Sequence, residues 1–173
     1  FFDTGTQYAA SPAALRGDTC QTCHMPTVER PIAIQAGAPV RTTRRHWFGG
    51  SLIPKKPDYE AEIAPLRKVF GSGVEISVSA PGGTCKDRKN CVPATVRVIN
   101  SRSGHSVPTG DPERHMIIDI LVKDGDKVLQ TQAMEFGSRY EWWPKIKLQS
   151  DTRLPAGEER TLPLEVPIGA TIE

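Results

Sequence analysis

Cys20, Cys23 and His24 stand in the run Cys20-Gln21-Thr22-Cys23-His24, the C-x-x-C-H spacing of covalent c-type haem attachment. Two thiols at this spacing can each add to a haem vinyl group. The histidine that follows then lies beside the tetrapyrrole, its imidazole placed to bind iron from one face. With 4 Cys and 4 His in 173 residues, the pattern should arise by chance on the order of 0.002 times per chain, so accident is a poor account of it. A thioredoxin-like redox pair should cap a helix after a buried strand, and Arg16-Gly17-Asp18-Thr19 is no such strand. Zinc needs more ligands, and the other two cysteines, Cys85 and Cys91, lie far along the chain with wider spacing. The expected cofactor is haem c, with its iron bound by His24.

A second axial ligand must come from elsewhere. The candidates are His46, His105, His115, Met25, Met116 and Met134. Met25 adjoins His24 and does not readily reach the opposite haem face. Met116 falls in an apolar run that reads as core, and Met134 ends a strand. His46 sits in Arg44-Arg45-His46-Trp47-Phe48-Gly49-Gly50, some twenty residues past the attachment motif, enough chain to loop around a haem rim. Arg44 and Arg45 can pair with propionates through the two-pronged guanidinium. Trp47 and Phe48 can pack on the macrocycle. The other reading is a solvated basic loop. His105 lies in Ser103-Gly104-His105-Ser106-Val107-Pro108-Thr109-Gly110, a loop of the kind where functional side chains sit, although such a histidine taken alone is more often a hydrogen-bonding residue. His115 has no supporting context.

These residues must be positioned by two unlike halves. Residues 1–72 form the expected haem-binding segment. Prolines interrupt any long helix there and no apolar period is sustained; the best helix candidate is short, from Tyr59 to Ala64. Such a stretch needs something apolar to wrap around, and haem would supply it. Residues 73–173 change to period two. Val74, Ile76 and Val78 read as the inward face of a half-buried strand. Further strands are expected over Ala94–Asn100, Met116–Val122, Val128–Met134, Lys145–Leu148 and, as the last, Leu162–Val166. Asp124-Gly125-Asp126 makes a tight turn. The expected fold is therefore mainly β, an irregular c-type haem-binding segment followed by an antiparallel immunoglobulin-like β-sandwich. Trp142-Trp143 reads as one core and one edge residue, with a docking or sugar-stacking surface as the other reading.

The hydrophobic fraction of 38% is modest and the formal charge is +2, far from the basic balance of nucleic-acid binders. No apolar run is long enough to span a bilayer as a helix. Cys85 and Cys91 flank a polar loop that a disulfide would close, which points to an oxidising compartment; free surface thiols are the alternative. Covalent haem attachment takes place on the far side of a membrane, so the chain reads as exported, periplasmic or extracellular, and as a mature chain or a fragment of a longer one.

Cys20 to Pro26, reading C-Q-T-C-H-M-P, and then His46-Trp47-Phe48-Gly49-Gly50 resemble a segment of exported multihaem c-type cytochromes. Gly104-His105-Ser106-Val107-Pro108-Thr109-Gly110 looks like their G-H-x-x-P-T-G element, which opens a sandwich-like C-terminal domain. The resemblance implies bis-histidine, low-potential haems that pass electrons between partners or along packed haem chains. It makes His46 and His105 the ligand candidates, one of them for a haem on another subunit; His46, the better placed, is the expected distal ligand of the haem on Cys20 and Cys23, and His105 is expected on a haem held by an adjacent segment or subunit. The chain departs from the pattern in carrying one attachment motif where the relatives carry several. Electron transfer within a larger haem array, with other c-type haem modules or subunits as donors and acceptors, is the leading expectation. The alternatives are a haem enzyme subunit with an open sixth position, for nitrite, hydroxylamine or peroxide chemistry, and a sandwich binding or assembly module in which haem is a structural staple.

Overall fold

A computed structural model describes residues 3–44, 60–61, 64, 67, 73–86 and 89–173. Arg45, His46, Trp47 and Phe48, and the junction at 70–72, lie outside the described residues, as does most of the helix expected before Pro65; within it, Glu60, Ala61 and Ala64 are helical, and so is Arg67.

The first stretch is more regular than its prolines suggest. Three short helices, α1 (Thr4–Ala9), α2 (Pro12–Leu15) and α3 (Cys20–His24), are followed by a hairpin of β1 (Thr27–Pro31) and β2 (Val40–Arg44). Local chemistry rather than periodicity starts α2 and α3. Ser11 caps α2, its hydroxyl accepting from the Ala14 N–H, with Pro12 at the first helical position where its missing N–H costs nothing. Thr19 and Thr22 form a reciprocal capping box on α3, satisfying donors that a helix start leaves open.

The rest is β3 (Glu75–Ser79), β4 (Cys91–Ile99), β5 (Met116–Asp124), β6 (Lys127–Phe136), β7 (Ser138–Glu141), β8 (Lys147–Asp151), β9 (Glu159–Pro167) and β10 (Thr171–Ile172). Every pairing is antiparallel. Two three-stranded sheets, in the orders β3-β4-β9 and β10-β5-β6, bury one face each. Ala94, Val96 and Val98 of β4 and Leu164 and Val166 of β9 pack in one cluster with Ile120 and Val122 of β5, Met134 and Phe136 of β6, and Leu154. Phe136, Val98 and Val122 are fully buried; emptying the Phe136 position would cost about 3–5 kcal/mol. The chain is thus mainly β, with the expected sandwich.

Several details differ from the sequence expectation. Ile76 and Val78 keep the core-side register opposite Val98 and Val96 yet are 56% and 49% exposed, because β3 is an edge strand; only Val74 of that alternating set packs against the core. The last strand is not β9 but β10, two residues added to β5. The strand expected from Lys145 starts at Lys147, and β7 pairs with it. Trp142 and Trp143 follow β7 rather than lying in a strand, so alternation does not apply and both are exposed. Asp124 and Lys127 close a two-residue hairpin turn around Gly125. Cys85 and Cys91 form a disulfide between the β3–β4 connection and the start of β4. Among the described residues, no helix is long and apolar enough to cross a membrane.

Candidate haem site

Helix α3 puts Cys20 and Cys23 three residues apart, and His24 four from Cys20, on one face. Both thiols are free and exposed, accessible for thioether formation. Arg44 at the end of β2 secures the other end of the helix. Its Nη1 donates to the Gln21 and Met25 carbonyl oxygens at 3.0 and 3.2 Å, a basic side chain answering the open carbonyls of a helix C-terminus. The guanidinium read from sequence as a propionate partner therefore sits on the attachment helix.

Facing α3 is the loop from Asn100 to Gly110, which leaves the end of β4. Asn100 is fully buried. Its Nδ2 donates to the carbonyls of His105 and Leu154, each at 2.9 Å, and its Oδ1 accepts from Ser103 Oγ. Val107 and Leu154 exchange both backbone hydrogen bonds. The loop is laced to α1 as well: Ser106 N–H donates to Gln7 Oε1 at 3.0 Å, and the Thr4 and Thr109 hydroxyls meet at 3.0 Å. A histidine held this way has little freedom.

His24 and His105 face one another. Their ring centres are 6.1 Å apart and their planes are within 18° of parallel. The His105 Nδ1 lies 3.0 Å from the Ser106 carbonyl. A carbonyl can only accept, so Nδ1 carries the proton and Nε2 keeps its lone pair. This is the usual arrangement in a metal-binding histidine, whose other nitrogen is oriented by a backbone carbonyl or carboxylate. Burial, and secondarily the neighbouring His105, hold the pKa of His24 below its ordinary value, favouring the neutral imidazole that a metal requires.

The two histidines border a cavity of about 640 Å³ that also meets Cys20, Cys23, Tyr8, Val74, Arg102, Val107 and Met116. That volume is within the range of about 300–1,000 Å³ found for cofactor and ligand pockets. The ring separation is compatible with one ion shared between the two imidazoles. An imidazole nitrogen is about 1.1 Å from its ring centre and binds a first-row metal at about 2.0 Å. Two imidazoles on opposite sides of one ion therefore have centres roughly 6.2 Å apart by the same arithmetic. The thiols, the tautomer, the spacing and the apolar walls all fit haem c.

The other candidates are elsewhere. Met134 is buried in the sandwich core. His115 Nδ1 approaches Glu135 Oε1 at 2.8 Å, an ion-pair distance off the hydrogen-bond direction, and Glu135 is also bound by Arg139. Met116, read as core, has both roles: it packs against the sandwich core and lines the cavity. Tyr8, Val74, Arg102 and Val107 drew no attention as site residues in sequence. Arg102 lies two residues before the His105 element and Val107 within it; Tyr8 carries no such signal. His46, the expected distal ligand, lies outside the described residues together with Arg45, Trp47 and Phe48; among the described residues it is His105, expected on a haem held elsewhere, whose ring stands beside that of His24.

No protein-family model matches the chain, and no curated protein matches it. Among solved structures, it is similar to a penta-heme cytochrome c552 from Thermochromatium tepidum, with a TM-score of 0.61 and 22% identity over 98% of this chain. The chain spans 40% of the length of that cytochrome. What the likeness establishes is the fold: this chain shares its architecture with part of that cytochrome.

Proposed function

We propose that the chain is a c-type cytochrome module that transfers electrons. Cys20 and Cys23 hold haem c through thioethers, and His24 and His105 bind its iron from the two faces. The observation that carries this reading is the His24–His105 pair, near-parallel at 6.1 Å with Nδ1 of His105 already committed to a carbonyl. Haem supplies a one-electron couple when bound. The chain's own residues hold the His105 imidazole in place through the Asn100 and Ser106 contacts and carry His24 on the capped helix α3, so little has to move when the charge changes. They also surround the site with apolar walls. Two imidazoles leave no open coordination position, which favours electron transfer over substrate chemistry at iron. Two nitrogen ligands favour a lower potential than a Met/His pair.

The fold shared with part of a penta-heme protein supports a place inside a multihaem assembly, with other c-type haem modules as electron donors and acceptors. His46 is then left to serve a haem that Cys20 and Cys23 do not hold. Thioether attachment and the Cys85–Cys91 disulfide both suit an oxidising, exported setting, periplasmic or extracellular.

The test is spectroscopic. Acid-acetone extraction should leave haem on the polypeptide, and the visible spectrum should be low-spin and unaffected by carbon monoxide. His105→Ala should turn it high-spin and open the iron to carbon monoxide, whereas His46→Ala should leave the haem on Cys20 and Cys23 low-spin. Extractable haem would end the covalent reading; a low-spin, carbon-monoxide-inert His105→Ala would end the axial assignment.

A further inference from the structure

The cavity between α3 and the His105 loop is lined mostly by apolar surface together with the exposed Arg102, and a haem held there would bring two carboxylates to that lining. An ionised carboxylate leaves water at high cost unless a cation or several hydrogen bonds receive it. Apart from the two histidines, the described residues lining the cavity include two charged side chains, Asp18 and Arg102. Asp18 has the wrong sign, and its charge is already answered by Arg16 Nε at 3.0 Å. Arg44 is turned onto the carbonyls of α3. The Arg102 guanidinium has no hydrogen-bond or carboxylate partner among the described residues. Its backbone is anchored, with the N–H donating to the Gly73 carbonyl at 3.2 Å, three residues before the iron-facing His105.

We propose that Arg102 is the cation that receives a haem propionate, a positioning residue that fixes the carboxylate edge of the cofactor and raises the potential of the iron. The inference rests on the haem reading above and adds to it a residue that the motifs do not mark. Guanidinium suits the role because its planar fork meets a carboxylate with two parallel hydrogen bonds. A fixed positive charge near the haem disfavours the oxidised, more positive iron and so shifts the couple upward. It also keeps the propionate ionised. Without it the propionate pKa should rise toward neutrality, and the potential should begin to vary with pH there.

The experiment uses the haem-loaded protein, with midpoint potential measured against pH and the propionate bending bands read by resonance Raman. Arg102→Gln should keep the parent's low-spin spectrum while its potential shifts downward and becomes pH-dependent near neutral. Arg102→Lys keeps the charge but loses the fork. Its potential should stay closer to the parent's while the propionate band moves. A parent-like potential and pH profile in Arg102→Gln overturns the assignment. So does a propionate band at the parent's position in Arg102→Lys, which decides the matter even where the glutamine variant fails to accumulate. Loss of covalent haem or of the low-spin signature in the parent itself would instead strike the underlying haem reading.

Discussion

Gly104 lies so close to Tyr8 that a Cβ built on it would fall 2.8 Å from the tyrosine Cδ2 and 3.3 Å from the Cβ of Ala13. The contact joins the helical segment to the loop that carries His105. The next residue is His105, the proposed axial ligand, so backbone approach here sets how the His105 ring stands against His24. Tyr8 is itself held, its hydroxyl donating to the Asp18 carbonyl just ahead of α3. Gly104, Tyr8 and Asp18 thus connect the two sides of the cavity directly.

Gly104→Ala should therefore act on ligation as well as on stability. Neither Tyr8 nor the buried Ala13 can withdraw freely, so the added methyl should cost about 1–3 kcal/mol, as overpacking usually does. The loop would move away from α3 and lengthen the reach from His105 to iron. Chemical denaturation should show the lost stability, and carbon monoxide binding should show a fraction of haem with an open position. A variant as stable and as inert to carbon monoxide as the parent would mean that this contact does not position the ligand.

Asn100→Ala tests the same loop from its buried side. The asparagine serves the carbonyls of His105 and Leu154 and the Ser103 hydroxyl. Its removal leaves those groups short of partners where water has little access, a loss of about 1–3 kcal/mol. Asn100→Asp should be no rescue, since a carboxylate offers the two carbonyls no donor. Equal unfolding midpoints for parent and Asn100→Ala would show that the network contributes nothing.

How much of this was legible in sequence follows from the range of each signal. The attachment motif is five consecutive residues, and the inward faces of β4, β5 and β9 repeat every second residue, so local reading found them. The α2 and α3 helices are too short for a period and depend on Ser11 and Thr19 as caps. The exposure of Ile76 and Val78 follows from edge position, which no local pattern encodes. The pairing of His24 with His105 joins residues some eighty positions apart; the motif resemblance marked both histidines, but only the folded chain brings their rings together.

Acid should remove a small, defined contribution near the cavity. Arg153, chiefly through its side-chain hydrogen bond, holds the Asp151 carboxyl below its ordinary pKa, and Asp151 Oδ1 also accepts the Arg153 N–H at 3.1 Å. This turn presents Leu154 to Val107. A depressed carboxylate stabilises the fold above the unfolded value of 3.8, and that stabilisation is lost as pH falls through the lower folded value. The pair is partly solvated, so about 0.5–1 kcal/mol is expected. Asp151→Asn should be less stable than the parent by that amount at pH 7, and the difference should vanish below the folded pKa. A gap that persists unchanged into strong acid would assign the effect to something other than ionisation.

Reducing the disulfide should separate stability from haem chemistry. Cys85 and Cys91 are six positions apart, a short loop for which the chain-entropy estimate is about 2 kcal/mol. Cys91 begins β4, whereas Asn100 just beyond its end anchors the His105 loop. At about 3.3 Å per strand residue the two are roughly 25–30 Å apart, with the rigid core strand between them. Cys85→Ser/Cys91→Ser, or the parent under reductant, should unfold at lower denaturant while its low-spin spectrum and midpoint potential stay unchanged. Two alkylatable thiols in the unreduced, denatured parent would show that the bridge does not form. A shift in potential on its removal would mean that β4 transmits strain along its whole length to the haem site.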